Sequence, residues 1–404
     1  MTSQSEAEPG RARQELWLIV LLAAVTAIGP FTQHALSPAL PIIAEDFQVP
    51  PAAAQLMLSL ALAVMAISSL FWGPLSDRFG RRPVLVAGLV MAAVGSALAA
   101  MAPVLWVGVL GRLLQAAGGA AGTVLARAVA QDVFGASRAA GVIGQMTAFM
   151  VAAPMVAPTI SGLIVEASGW REVFWLSSAL CFALVIWLRA SLSETAPAAE
   201  IRGVGEMLRG FGVVSRRREF WRYAGYASFS LAGFYYFTAI TPYVMREAFG
   251  QGPAAYGLYF MMLSATFMAT NFVAGRVSDR FGQEPTLMFG ACLSLTGPAL
   301  VAILLMSGVR EPWVLFLPGT IQSFGAGLAM PNAMAGAVGA SPERAGAATG
   351  LLGFSQFMIA AVTTQIAGFL PHDQPMTVPA GMLVSIGAGV LCLFILKEHR
   401  PLRP

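Results

Sequence analysis

Charge is what this chain of 404 residues most lacks: Asp, Glu, Lys and Arg make up 11% of it, against roughly 25% in an ordinary soluble domain. The 24 Lys and Arg nearly balance the 20 Asp and Glu, leaving a net charge of +4. A soluble fold of this length needs a polar shell that the composition cannot supply, so a soluble enzyme and a disordered chain are both excluded. So few scattered cations build no phosphate-tracking patch, which excludes a nucleic-acid partner. Cysteine is scarce as well: Cys181, Cys292 and Cys392 sit far apart in apolar stretches, a pattern of packing residues rather than of a disulfide framework or a metal site. His34, His372 and His399 fall in separate regions, so no clustered nucleophile and base points to an enzyme. A nucleotide-binding loop is missing too, which argues against direct drive by ATP. No cofactor is expected.

What remains is hydrophobic. Apolar residues form 57% of the chain and the mean hydropathy is +0.71. Runs free of acidic and basic side chains include 16–44, 47–76, 139–165, 248–275 and 345–371. Each exceeds the roughly 20 residues with which a helix crosses about 30 Å of hydrocarbon. With a span at 105–131 carried across Arg112, the runs predict twelve transmembrane helices and an all-α membrane fold. The short alternating segments of an outer-membrane barrel are absent. Run 16–44 reads as a retained helix, not a cleaved signal.

With the amino terminus inside, 19 Lys and Arg fall in inward loops and tails, and only Arg171, Arg246 and Arg310 in outward loops. The positive-inside rule then predicts cytoplasmic termini, and the expected location is the inner (plasma) membrane. The predicted organisation is a tail at 1–15, a six-helix half at 16–190, a polar linker at 191–221, a second half at 222–397 and a tail at 398–404. A short surface helix is expected near 204–219, and the Arg216-Arg217-Arg218 cluster reads as an anchor to lipid headgroups.

The halves repeat. Gly73-Pro-Leu-Ser-Asp77-Arg78-Phe-Gly80 recurs as Gly275-Arg-Val-Ser-Asp279-Arg280-Phe-Gly282, 202 residues later. Six spans separate the copies, so the halves share an orientation, with a substrate path expected between them. Arg112 stands inside a span, where a guanidinium must face a partner or water, or snorkel to the outer headgroups. Spacing puts Gln115 on its face of the helix. Pro154 and Pro158 each remove a backbone hydrogen bond on one face of the fifth span, and Gly162 continues that face.

The segment Gly73 to Gly80 with Arg81-Arg82-Pro83 resembles the signature loop of the major facilitator superfamily. Leu110-Gly-Arg112-Leu-Leu-Gln115, Leu125-Ala-Arg127-Ala-Val-Ala-Gln-Asp132 and Ser168-Gly-Trp170-Arg171 look like the Bcr/CflA drug-resistance branch. Pro154 to Gly162 is similar to the antiporter motif of proton-coupled exporters. The resemblance implies a multidrug efflux transporter working by alternating access, a monomer in lipid driven by the proton gradient. An exporter of a specific metabolite, sugar or siderophore, or a proton-independent facilitator, is the alternative. It implies conformational gating by Gly73, Asp77, Arg78, Gly80, Arg81, Asp279 and Arg280. Asp77 is expected to cap the start of helix 11, near Arg344, and Asp132 to pair with Arg81. It implies proton coupling through Arg112, Arg127 and Asp132.

One position departs from the pattern. The branch usually carries a membrane carboxylate four residues before the first Pro of Pro38-Ala-Leu-Pro41, and this chain has His34 there. His34 is either the replacement proton carrier, since imidazole titrates near neutrality, or a neutral histidine bonded to a carbonyl or hydroxyl beside Pro38. A cavity with His and Arg but no acid suits neutral, zwitterionic or anionic amphiphiles better than permanent cations. The expected lining is Phe31, Gln33, Gln115, Gln145 and Phe149 from the first half, with Tyr235, Tyr236, Tyr243, Asn332, Phe354, Gln356, Phe357 and Met358 from the second; ordinary packing between helices is the alternative for each.

Overall fold

A computed structural model describes residues 9–195 and 204–396. The first eight residues of the tail, Arg202 in the linker and the tail from Lys397 lie outside the described residues.

The chain begins with α1 (Pro9–His34), which starts before the expected residue 16. It stops at His34 because the chain ahead holds Pro38 and Pro41, neither of which can donate a helical hydrogen bond. A tight turn at Ser37–Ala39 bridges to α2 (Leu40–Asp46), so the first crossing is broken toward its C-terminal end. Then follow α3 (Pro51–Ala54), α4 (Leu56–Phe79), α5 (Arg81–Ala100), α6 (Leu105–Ser168) and α7 (Trp170–Ser191). The linker carries α8 (Val204–Val214). The second half is α9 (Arg218–Glu247), α10 (Pro253–Phe281), α11 (Gln283–Met306), α12 (Trp313–Phe316), α13 (Gly319–Gly339), α14 (Ala345–Ala367) and α15 (Thr377–Ile395).

Among the described residues, eleven helical segments are long and apolar enough to cross a membrane. The twelfth crossing, α9, is too polar for that criterion, yet its Tyr226, Tyr235, Tyr236, Thr238, Thr241 and Tyr243 are all buried. A polar helix is tolerated where it touches protein instead of lipid. The fourth and fifth crossings, 105–135 and 141–168, are two helices that meet at a kink within α6. The chain doubles back at Gly135 (φ 66°), and Arg127 reaches Met150 on the returning segment. One residue in the left-handed region makes the reversal.

The repeated signature is a repeated turn. Gly80 (φ 97°) ends α4 and Gly282 (φ 89°) ends α10, and in each case the next helix starts at once. A side chain at either position would be strained. The repeat also reaches inside the halves. Gly95 lies against the backbone of Gly111 and Gln115, and Gly297 against Pro318 and Gln322. That correspondence sets Gly319 in the second half where Arg112 stands in the first.

One core, including Leu85, Leu125, Val129 and Leu188, serves the first half. A larger one draws Leu36, Leu40 and Ile43 of the first half together with Phe237, Tyr256 and Phe260 of the second. The halves are therefore packed together at the end opposite the two signature turns.

Candidate functional site

At the centre of the first half, Arg112 is fully buried. Its Nε donates to the Met57 carbonyl at 3.2 Å, Nη1 to the Thr32 carbonyl at 3.3 Å and Nη2 to Gln33 Oε1 at 2.9 Å. Nη1 also donates to Gln115 Oε1, whose amide nitrogen donates to Ser96 Oγ at 2.7 Å. Every acceptor is neutral. Arg112 therefore does not snorkel to headgroups; α1, α4 and α6 hold it in a cage of oxygens. Gln33 and Gln115 belong to that cage and are themselves buried, so they are held away from the expected cavity lining.

His34 adjoins this cage where α1 breaks. Its ring stacks on Tyr235 of the second half, with centroids 5.3 Å apart and planes at 17°, and meets Phe234 edge-on at 5.4 Å. It is 4% exposed, and Nδ1 has no hydrogen-bond partner. The imidazole thus spans the boundary between halves, and the carbonyl or hydroxyl partner considered from sequence does not meet Nδ1. Phe234 carried no signal in the sequence, because its partner lies 200 residues away.

The antiporter-like segment of α6 packs on α10. A Cβ at Gly162 would lie 2.4 Å from the Pro253 carbonyl oxygen, and one at Gly257 would lie 2.5 Å from that of Pro158. Between them Thr159 Oγ1 donates to the Gly257 carbonyl at 2.8 Å. Small residues let the two backbones approach this closely. Among the described residues, the same end also carries bonds between the halves from Ser59 to Gln365 at 2.6 Å, Gln365 to the Ala52 carbonyl at 2.9 Å, Glu166 to the Ala254 amide at 3.2 Å, and Arg246 to Glu45 at 2.6 Å.

At the signature end, the ion pairs among the described residues stay within a half. Asp77 pairs with Arg81 in its own half, where the resemblance implied the start of the eleventh crossing, α14. Arg81 Nε also meets Asp132 at 3.1 Å. Arg78 lies over Phe79 and Arg280 over Phe281. In the second half Gln283 takes the place of Arg81 and donates to the Asn332 carbonyl at 2.9 Å, while Ser278 donates to Asn332 Oδ1 at 2.9 Å. Asn332 is thereby a support of the second signature turn and not cavity lining, and Asp279 is exposed. Gly73 has open space around it. Helix α8 lies on α14, with Gly210 against Ala347 and Phe211 against Gly350. Arg217 pairs with Glu343 and donates to the Ala340 carbonyl at 2.7 Å, so this member of the cluster is turned into the second half.

The remaining expected lining divides. Tyr236 donates to the Thr377 carbonyl at 2.7 Å inside the second half. Tyr243 is buried against His372, 4.7 Å between rings, at the closed end. Gln356 is buried. Phe357 packs with Leu62 and Tyr235 at the centre. Phe31, Phe354 and Met358 are half-buried, whereas Gln145 and Phe149 are exposed.

Two like-oriented six-helix halves, bonded to each other at one end and meeting over a polar centre, define a membrane transporter rather than an enzyme. The sequence model of the Major Facilitator Superfamily matches residues 20–364, and again 225–404, so the chain belongs to that family of transporters. It is 29% identical to a bicyclomycin resistance protein homolog of Haemophilus influenzae, over 92% of this chain and 93% of that one. With multidrug resistance protein D of Escherichia coli the identity is 28%, over 88% and 89%. These are drug-resistance proteins of the Bcr/CflA type. Among solved structures, a bacterial homolog of the human lysosomal transporter Spinster superposes with a TM-score of 0.72 at 16% identity, over 98% of this chain and 96% of that one. That likeness concerns the fold.

Proposed function

We propose that the protein exports amphiphilic small molecules by alternating access, in exchange for protons. Substrate enters from the signature end, taken as cytoplasmic along with both termini, binds between the halves and leaves once the opposite end opens. The protein works as a monomer in the inner membrane. The resistance proteins among its relatives support the efflux direction, and the contact of His34 with Tyr235 across the halves carries the proton reading. Proton uptake by His34 would set a second cation near caged Arg112. Repulsion would favour parting of the stack, and with it parting of the two halves. The missing membrane carboxylate leaves this imidazole as the group able to take up a proton at that place.

The test is a drug-tolerance panel on cells expressing the chain, with and without a protonophore. Raised tolerance to at least one amphiphile, abolished by the protonophore, is expected. Tolerance that survives the protonophore would overturn proton drive, and no change for any compound would overturn efflux.

A further inference from the structure

Arg127 is a cation in the membrane interior that pairs with no acid among the described residues. It lies on α6 eight residues before Gly135, or about 12 Å along the helix axis. Among the described residues its one hydrogen-bonding contact is Nη2 to Met150 Sδ at 3.8 Å, a weak acceptor. Asp132, the nearest acid in sequence, accepts from Arg81. The other interior cation, Arg112, is caged by neutral oxygens and sealed from solvent. Arg127 differs in being partly exposed, as is Thr123 one turn earlier, while Leu125, Ala126, Val129 and Ala130 beside them are buried. A guanidinium at this depth cannot rest in hydrocarbon, so its open side faces a hydrated space. Beside Met150 on the returning segment, Phe149 is 55% exposed and presents apolar surface.

From this arrangement we infer that Arg127 is the anion-recognition point of the transporter: it binds the carboxylate of an amphiphilic monoanion whose apolar body lies along Met150 and Phe149. The role replaces the part in proton coupling that resemblance gave to Arg127. It deepens the efflux reading and rests on it for the word substrate, but binding itself can be measured without transport. A guanidinium matches a carboxylate with two parallel hydrogen bonds, and the absence of interior acids makes permanent cations unwelcome.

The experiment uses dansylglycine and its neutral isostere dansylglycinamide, titrated by fluorescence against the purified full chain in nanodiscs. Dansylglycine is expected to bind about tenfold more tightly, the worth of one charge-assisted hydrogen bond. Arg127→Gln should erase that preference and leave the amide unchanged, while Arg127→Lys should keep most of it. Equal binding of acid and amide by the unaltered protein, or no binding of either, overturns the proposal without recourse to any variant. Equal weakening of both probes by Arg127→Gln overturns it as well. Acid-selective binding without export from vesicles would count against efflux and leave the anion site standing.

Discussion

Arg112 and Arg127 sit fifteen residues apart on one helix and are treated in opposite ways. Four neutral partners close around Arg112, whereas Arg127 is left open. The spacing of three made the Arg112–Gln115 pair legible in the sequence, because neighbours on a helix face follow from geometry. Gln33 and the carbonyls of Thr32 and Met57 were not legible as partners, since they arrive from other helices. His372 illustrates the same limit at the closed end. Burial holds its imidazole below the ordinary value of 6.5, against the raising influence of the Ala367 carbonyl and Asp373. Its ring rests on Tyr243, and Nε2 has no partner. The unfolded chain therefore takes up this proton first, and stability falls as pH drops below about 6.5, while above it the neutral form costs nothing. Between pH 7 and pH 5 the melting temperature of the protein should fall further than that of His372→Phe. Parallel curves for the two proteins would remove His372 from the account.

At the scale of elements, the contact of α6 with α10 decides which end is closed. Gly162 and Gly257 make it, and neither has room for a Cβ. The proline pair and Gly162 were legible as a small-residue face; its partner on α10 was not, because Pro253 and Gly257 carry no pattern of their own. Gly162→Val should hold the backbones apart and open the end opposite the signature turns, the outer end in the proposed orientation. In a cysteine-free background, a reporter cysteine replacing Ile42 should then be alkylated several-fold faster from the outside; an unchanged rate would contradict the assignment. Thr159→Val removes the 2.8 Å bond to Gly257, a loss of about 1 kcal/mol that shifts the same balance roughly fivefold. The twelve crossings could be read from uncharged runs, since hydrocarbon thickness sets helix length. The abrupt reversal at Gly135 could not, because one residue with positive φ does the work of a loop.

Across the whole molecule, two copies of one fold have been made chemically unequal. The first half holds Arg112, Arg127, His34 and the Asp77–Arg81–Asp132 chain of ion pairs. The second repeats the turns and close helix contacts but has Gly319 and Gln283 where charge would stand. The signature repeat exposed the symmetry, and the asymmetry became visible only where Gly95 and Gly297 fixed the register. The second half contributes Tyr235, on which His34 rests, so a proton on His34 can act on how the halves meet. Transport by His34→Gln in proteoliposomes, with a substrate found in the tolerance panel, tests this most directly. Accumulation driven by an imposed pH gradient is expected to be lost while substrate exchange without a gradient persists. Gradient-driven accumulation at the rate of the unaltered protein would contradict it.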